Sequence, residues 1–139
     1  MPTAQSDAAV LALLEAITSP VALTEGQNLF YGPMMIPSSA VPGFVVCVLA
    51  TGGDQNQRCI GSSVDVRRSS VQVLVRCDFS DYVRGQELAR ACLEALHCPS
   101  IPSGWTDVQV PNQPEPFYLG MEGEGRHVWS INVQMLRST

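Results

Sequence analysis

Only a few residues in this chain could do covalent or metal chemistry. They are five cysteines, Cys47, Cys59, Cys77, Cys92 and Cys98, and two histidines, His97 and His127. An odd number of cysteines with no C-x-x-C spacing argues against a disulfide framework and against a zinc site. Cys47, Cys77 and Cys92 fall inside apolar patterns and read as small core hydrophobes. His97 and Cys98 are neighbours in sequence, but neighbouring side chains diverge, and a histidine at a helix C-terminus suits the helix dipole. His127 opens a strand pattern with no cysteine or acid cluster at metal-ligand spacing around it. Asp78, Asp81 and Asp107 read as cap and turn residues. The expectation is a protein with no catalytic group, no metal and no cofactor.

A second candidate chemistry is phosphate binding. The stretch "LGMEGEG" (119–125) packs three glycines into six residues. A phosphate-cradling loop needs such glycines between a strand and a helix, with backbone N–H groups free. Here an alternating segment follows, not a helix, and Glu122 and Glu124 would repel an anion. The stretch therefore reads as a hairpin turn, and both acids should tolerate Gln.

Contact with partners is the remaining possibility. Arg67 and Arg68 form the one adjacent basic pair. They read either as a solvated hairpin tip or as a contact with a partner or passing nucleic acid; two arginines alone make no DNA site. Arg58, in the same polar stretch, and Trp105, after Gly104, complete the candidate partner-interface set. Trp105 could anchor an interface or be buried against its own domain.

The elements that would position these residues follow from periodicity. Residues 7–18 repeat Val10, Leu13, Leu14 and Ile17 at helical spacing, with Ser6 or Asp7 as cap. "NLFYG" and "MMIP" read as short extended pieces. Phe44–Ala50 is a seven-residue apolar run and reads as a strand covered on both faces. Residues 51–70 show no period and read as a long mobile loop. "VQVLVR" (71–76) alternates as a strand. Asp81–Leu96 is an amphipathic helix, with Gly85, Leu88, Ala89, Cys92, Leu93 and Leu96 on one side and Ser80 or Asp81 as cap. "TDVQV" and "PFYLG" are short strands. His127–Leu136 alternates, with Trp129, Ile131, Val133 and Met135 facing inward. The fold class is α+β: one domain over 1–139, a mostly antiparallel sheet with two helices packed on one face.

Composition narrows the function further. Charged residues make up 15% of the chain, against roughly 25% in an average soluble domain, and the net charge is −5. A low charge content reads either as abundant Ser, Gln, Asn and Pro in loops or as surface covered by a partner or by other copies of the chain. The acidic balance argues against general nucleic-acid binding and against anionic membranes. No apolar run has the length of a membrane span, and the N-terminal segment lacks the basic flank of a signal peptide. Residence in a cytoplasm is the expectation.

Several successive segments resemble the tail terminator (tail completion, minor capsid) proteins of long-tailed bacteriophages. "GQNLFYGPMMIP" looks like the segment after their first helix, and "VPGFVVCVLATGG" is similar to the strand that runs into paired glycines. "RRSSVQVLVRCDFSDYVRGQELARACLEAL" resembles their arginine-led strand and the helix behind it. "PFYLGMEGEGRHVWSINVQMLR" resembles the closing hairpin. The likeness covers about residues 8–137. Ser69 stands where the family often has proline, and Glu122 where Asp is more usual. The resemblance implies a non-enzymatic virion protein of the head–tail junction, assembled in the host cytoplasm. It implies a ring, a hexamer, on the head-proximal end of the tail tube, with the tube protein and the head's connector as partners and DNA passing through the lumen. Two alternatives stand beside it: a head-side connector or stopper ring, and a small cytoplasmic enzyme using Cys98 or Cys59 as nucleophile.

Overall fold

A computed structural model describes residues 5–19, 21–32, 43–53, 57–58, 65–97, 101, 104–111, 113–122 and 125–138. Along the chain run α1 (Ser6–Leu14), β1 (Leu29–Tyr31), β2 (Phe44–Gly53), β3 (Gln57–Arg58) and β4 (Asp65–Cys77). A 3-10 turn (Phe79–Asp81), α2 (Tyr82–Leu96), β5 (Asp107–Gln109), β6 (Phe117–Met121) and β7 (His127–Ser138) follow. The described strands form one sheet in the order β1-β2-β4-β7-β5, with β3 also on β4 and β6 also on β7. Among the described strands β1 pairs parallel with β2, and the other ladders are antiparallel. This is the expected α+β domain.

The core is the layer between the helices and one sheet face. Alternation sends Val71, Val73 and Val75 of β4 and Trp129, Ile131, Val133 and Met135 of β7 to the same side, where all are buried. Val46 and Val48 of β2 join them. Val10 and Leu14 of α1 and Leu88, Ala89, Cys92 and Leu96 of α2 close the layer from above. Fully burying side chains of this size stabilises by roughly 1.5–3 kcal/mol each.

Gly85 sets the distance between α2 and the sheet. A Cβ there would run into Cys77 Sγ and come within 2.8 Å of the Trp129 ring. The first turn of α2 therefore rests directly on the indole.

Three expectations need correction. The loop foreseen over 51–70 is largely sheet: β2 runs on to Gly53, β3 occupies Gln57–Arg58, and β4 begins at Asp65. Residues 54–56 and 59–64 lie outside the described residues. The start of β4, "DVRRSS", has no apolar period, yet it pairs along β7: Arg67 faces Arg137, Ser69 faces Met135 and Ser70 faces Gln134. Backbone ladder bonds, not side-chain burial, carry that end.

Neither helix has a side-chain cap. Gln5 and Asp81 occupy the cap positions without such a bond. Asp81 N–H instead donates to the Asp78 carbonyl at 3.0 Å through the 3-10 turn. Helix α1 closes at Leu14, earlier than Thr18, although Ile17 is still buried.

The far face of the sheet is buried along β2, as expected for a strand covered on both faces. Val45, Cys47, Val128 and Ser130 are buried on it. Arg76 and Gln72 lie across this face. Arg76 reaches Glu122 at 2.8 Å, and Gln72 donates to Ser130 Oγ at 3.2 Å. The strand expected at "MMIP" falls outside the described residues.

Candidate assembly interface

The hairpin of β6 and β7 answers the question raised by the glycine-rich stretch. Gly125, at φ +78°, donates its N–H to the Glu122 carbonyl, and Glu122 N–H donates to the Arg126 carbonyl. This is a turn between two antiparallel strands, with a left-handed residue where glycine is favoured. Glu122 is more than a turn residue: its carboxylate pairs with Arg76, whose side chain is only 11% exposed. Its expected tolerance of Gln is therefore revised. Glu124 and Gly123 lie outside the described residues. Arg126, next in the turn, is buried; it lies 3.4 Å from an Asp78 carboxylate oxygen and donates to the Gly43 carbonyl at 3.3 Å. It ties the hairpin to the start of β2 and to the lead-in of α2.

Beside this hairpin lies an aromatic corner. Phe79, Tyr82, Tyr118, His127 and Trp129 touch ring to ring, with centroids 5.1–6.0 Å apart. His127 fixes the corner through both nitrogens. Nε2 donates to the Phe79 carbonyl at 3.0 Å, since a carbonyl can only accept, and Nδ1 meets the Tyr118 hydroxyl at 2.8 Å. Trp129 and His127 form the buried floor; Phe79, Tyr82 and Tyr118 are exposed. Strand β6 extends the surface with Phe117, Leu119 and Met121, each about half exposed or more. Leu119 is the unpaired residue of a bulge, held by Gly120 at φ +98°. β6 pairs only with β7 among the described strands, so its other backbone edge has no strand partner among the described residues. An open edge carrying four large apolar side chains is what an isolated soluble domain avoids. Sequence reasoning read "PFYLG" as a strand but missed its exposure, because edge position depends on pairings far apart in sequence.

The predicted interface residues gather at the other end of β4 and β7. Arg67 stands directly opposite Arg137, and Arg68 opposite Leu136. β3 sets Arg58 beside Asp65, two residues before Arg67. Trp105 is 8% exposed, so it is no free-standing anchor. It packs into its own domain and stacks on the Arg137 guanidinium, 5.4 Å from the ring centroid. Arg137 is the member of this group that sequence reasoning missed. Its signal was available: it falls on the inward parity of β7, where a cation needs a partner.

The three described cysteines, Cys47, Cys77 and Cys92, are free and buried. Burial pushes the Cys92 thiol up to about 12 and the Cys77 thiol up to about 11. It also raises Cys47, in spite of the opposing Arg76 nearby. His97 lines two shallow surface depressions; Cys98 and Cys59 lie outside the described residues. No group of three potential metal ligands occurs among the described residues, and no described helix is long and apolar enough to cross a membrane.

A comparison with curated proteins yields no match. The family model described as bacteriophage tail terminator protein matches residues 23–139, from just before β1 to the end of the chain. That span holds both the aromatic hairpin and the arginine end, and the chain belongs to the bacteriophage tail terminator family, whose members are structural proteins of the virion tail.

Proposed function

We propose that the protein forms a ring, a hexamer, that caps the head-proximal end of the phage tail tube. The cap stops tube polymerisation and presents the surface to which the head's connector or stopper protein joins. DNA passes through the lumen without specific binding. The observation that carries this reading is the open, apolar strand β6 with its aromatic corner, set in a chain of the tail terminator family. Water-exposed Phe117, Tyr118, Leu119 and Met121 on an unpaired edge favour addition of a neighbouring chain. A ring made of head-to-tail contacts closes on itself and leaves no free template, which is what a terminator needs. An overall acidic charge of −5 suits a channel that DNA must leave. The candidate interface residues Arg58, Arg67 and Arg68 belong to this reading as partner contacts, with Trp105 acting through Arg137.

Electron microscopy of the purified chain tests the assembly half of the proposal. Rings with sixfold symmetry are expected. Persistent monomers at every concentration, with tube ends also left unoccupied when tubes are added, would remove it.

A further inference from the structure

The aromatic corner has a titratable group at its centre. His127 opens β7 and is buried, while Phe79, Tyr82 and Tyr118 around it are exposed. Both imidazole nitrogens are engaged. Nε2 lies 3.0 Å from the Phe79 carbonyl, which can only accept, so Nε2 carries a proton. In the neutral ring Nδ1 is then bare, and it accepts from the Tyr118 hydroxyl at 2.8 Å. Four rings enclose the imidazole. Phe79 stacks on it at 5.9 Å, and Tyr82, Tyr118 and Trp129 lie 5.1–6.0 Å away.

A proton added at Nδ1 reverses one bond. Imidazolium has two donors and no acceptor, whereas a phenol can accept as well as donate. Nδ1 then donates to Tyr118, whose hydroxyl hydrogen turns away from the ring. Tyr118 is 45% exposed, so water receives that hydrogen in the free chain. A chain laid over Tyr118 takes this water away and leaves the donor unmade. It also strips water from a new positive charge, which costs far more than covering a neutral ring.

No described carboxylate answers that charge. Around His127 stand Tyr118 from β6, Tyr82 from α2 and Cys77, directly opposite on β4. Burial pushes the Cys77 thiol up to about 11, so it brings no charge at neutral pH. Arg126, next to His127 on β7, is itself a cation and pairs with Asp78. Glu122 in the hairpin turn pairs with Arg76. Asp81 ends the 3-10 turn, where its carbonyl accepts from the Cys77 thiol at 3.5 Å. None of these acids bonds the imidazole among the described residues. The ring faces attract a cation, but they supply no formal negative charge against which to bury it.

Histidine is the side chain suited to changing charge between pH 5 and 8. The chain's other histidine, His97, lies at the opposite end of α2 from this corner.

We infer that another chain covers the aromatic corner in its neutral form, so that assembly at this surface releases the Nδ1 proton of His127 and weakens as pH falls. The inference rests on the ring reading and adds its regulation by pH. Sedimentation velocity of the full-length chain tests it. From about pH 8 to about pH 5.5 the concentration for half-assembly should rise at least about 10-fold, since each linked proton gives up to tenfold per pH unit. In His127→Gln, which keeps a neutral donor and acceptor, it should change by less than about 2-fold. Nitrogen NMR of the wild-type imidazole, below the assembly concentration, reads the same proton without a variant. It should show Nε2–H with a bare Nδ1 at the higher pH and both nitrogens protonated at the lower. Rings that ignore pH, a His127→Gln profile as steep as the wild type's, or an Nδ1 that stays bare would each overturn the coupling and leave the ring standing. If His127→Gln fails to melt cooperatively, the wild type decides: assembly and imidazole titration in one pH interval support the coupling, and in separate intervals they overturn it. A wild-type chain that forms no rings at either pH removes the ring reading and the coupling together.

Discussion

At the scale of single residues, stability concentrates where α2 meets β7. Gly85 and Trp129 form one joint. Alanine favours a helix over glycine by about 1 kcal/mol, yet a Cβ at Gly85 would lie 2.8 Å from a rigid, buried indole. The overlap wins, and Gly85→Ala should destabilise by about 1–3 kcal/mol in urea unfolding. Trp129→Ala should cost about 3–5 kcal/mol, a large part of the roughly 5–15 kcal/mol that holds a domain folded. The buried thiols predict a pH dependence. Folded Cys92 and Cys77 hold their protons to about 12 and about 11, whereas an unfolded thiol loses its own near 9.0. The unfolded chain therefore binds fewer protons above pH 9, and stability falls as pH rises from 9 towards 11. Thermal melting across that window should show a decline that is shallower in Cys92→Ala. A flat profile would show that the thiols ionise equally in both states.

At the scale of elements, the central part of the fold was legible and its edges were not. The alternation of β7 and the apolar face of α2 stood out because burial selects one side chain in two or in three to four. The β4 extension was illegible because its register is set by β7, about 70 residues away in sequence. Gln113 is a sharper case. β7 has β5 beside its residues 134–136 and β6 beside 127–130, which leaves a gap between. Gln113 fills it: its Nε2 donates to the Ser130 carbonyl at 2.7 Å, and its Oε1 accepts from Asn132 N–H at 3.0 Å. One side-chain amide thus does the work of a missing strand residue. Nothing in "PNQPEP" announces that role, since a glutamine between prolines reads as loop. Gln113→Ala would leave two backbone groups of β7 unpaired in a buried place, at about 1–3 kcal/mol each if water cannot reach them. Gln113→Glu keeps the acceptor and loses the donor, so amide exchange should show the Asn132 N–H still protected in Gln113→Glu and exposed in Gln113→Ala.

At the scale of the whole molecule, the family resemblance was readable because its motifs keep their order, and residues 23–139 match the tail terminator model. The candidate site was only half readable. Arg67 and Arg68 were visible as a basic pair, while Arg137, the aromatic corner and the open β6 edge appear only when distant strands are assembled. The surface of the assembled chain is apolar on one hairpin and positive at one end of the sheet. The central claim is that such a surface closes the tail tube. It is tested most directly by electron microscopy of tails from infected cells in which this gene has been deleted. The account predicts tubes that polymerise, run past their normal length and fail to join heads, because an uncapped end remains a template. Tails of normal length joined to heads would contradict it, and tails of normal length that merely fail to join heads would assign the protein to the head side of the junction.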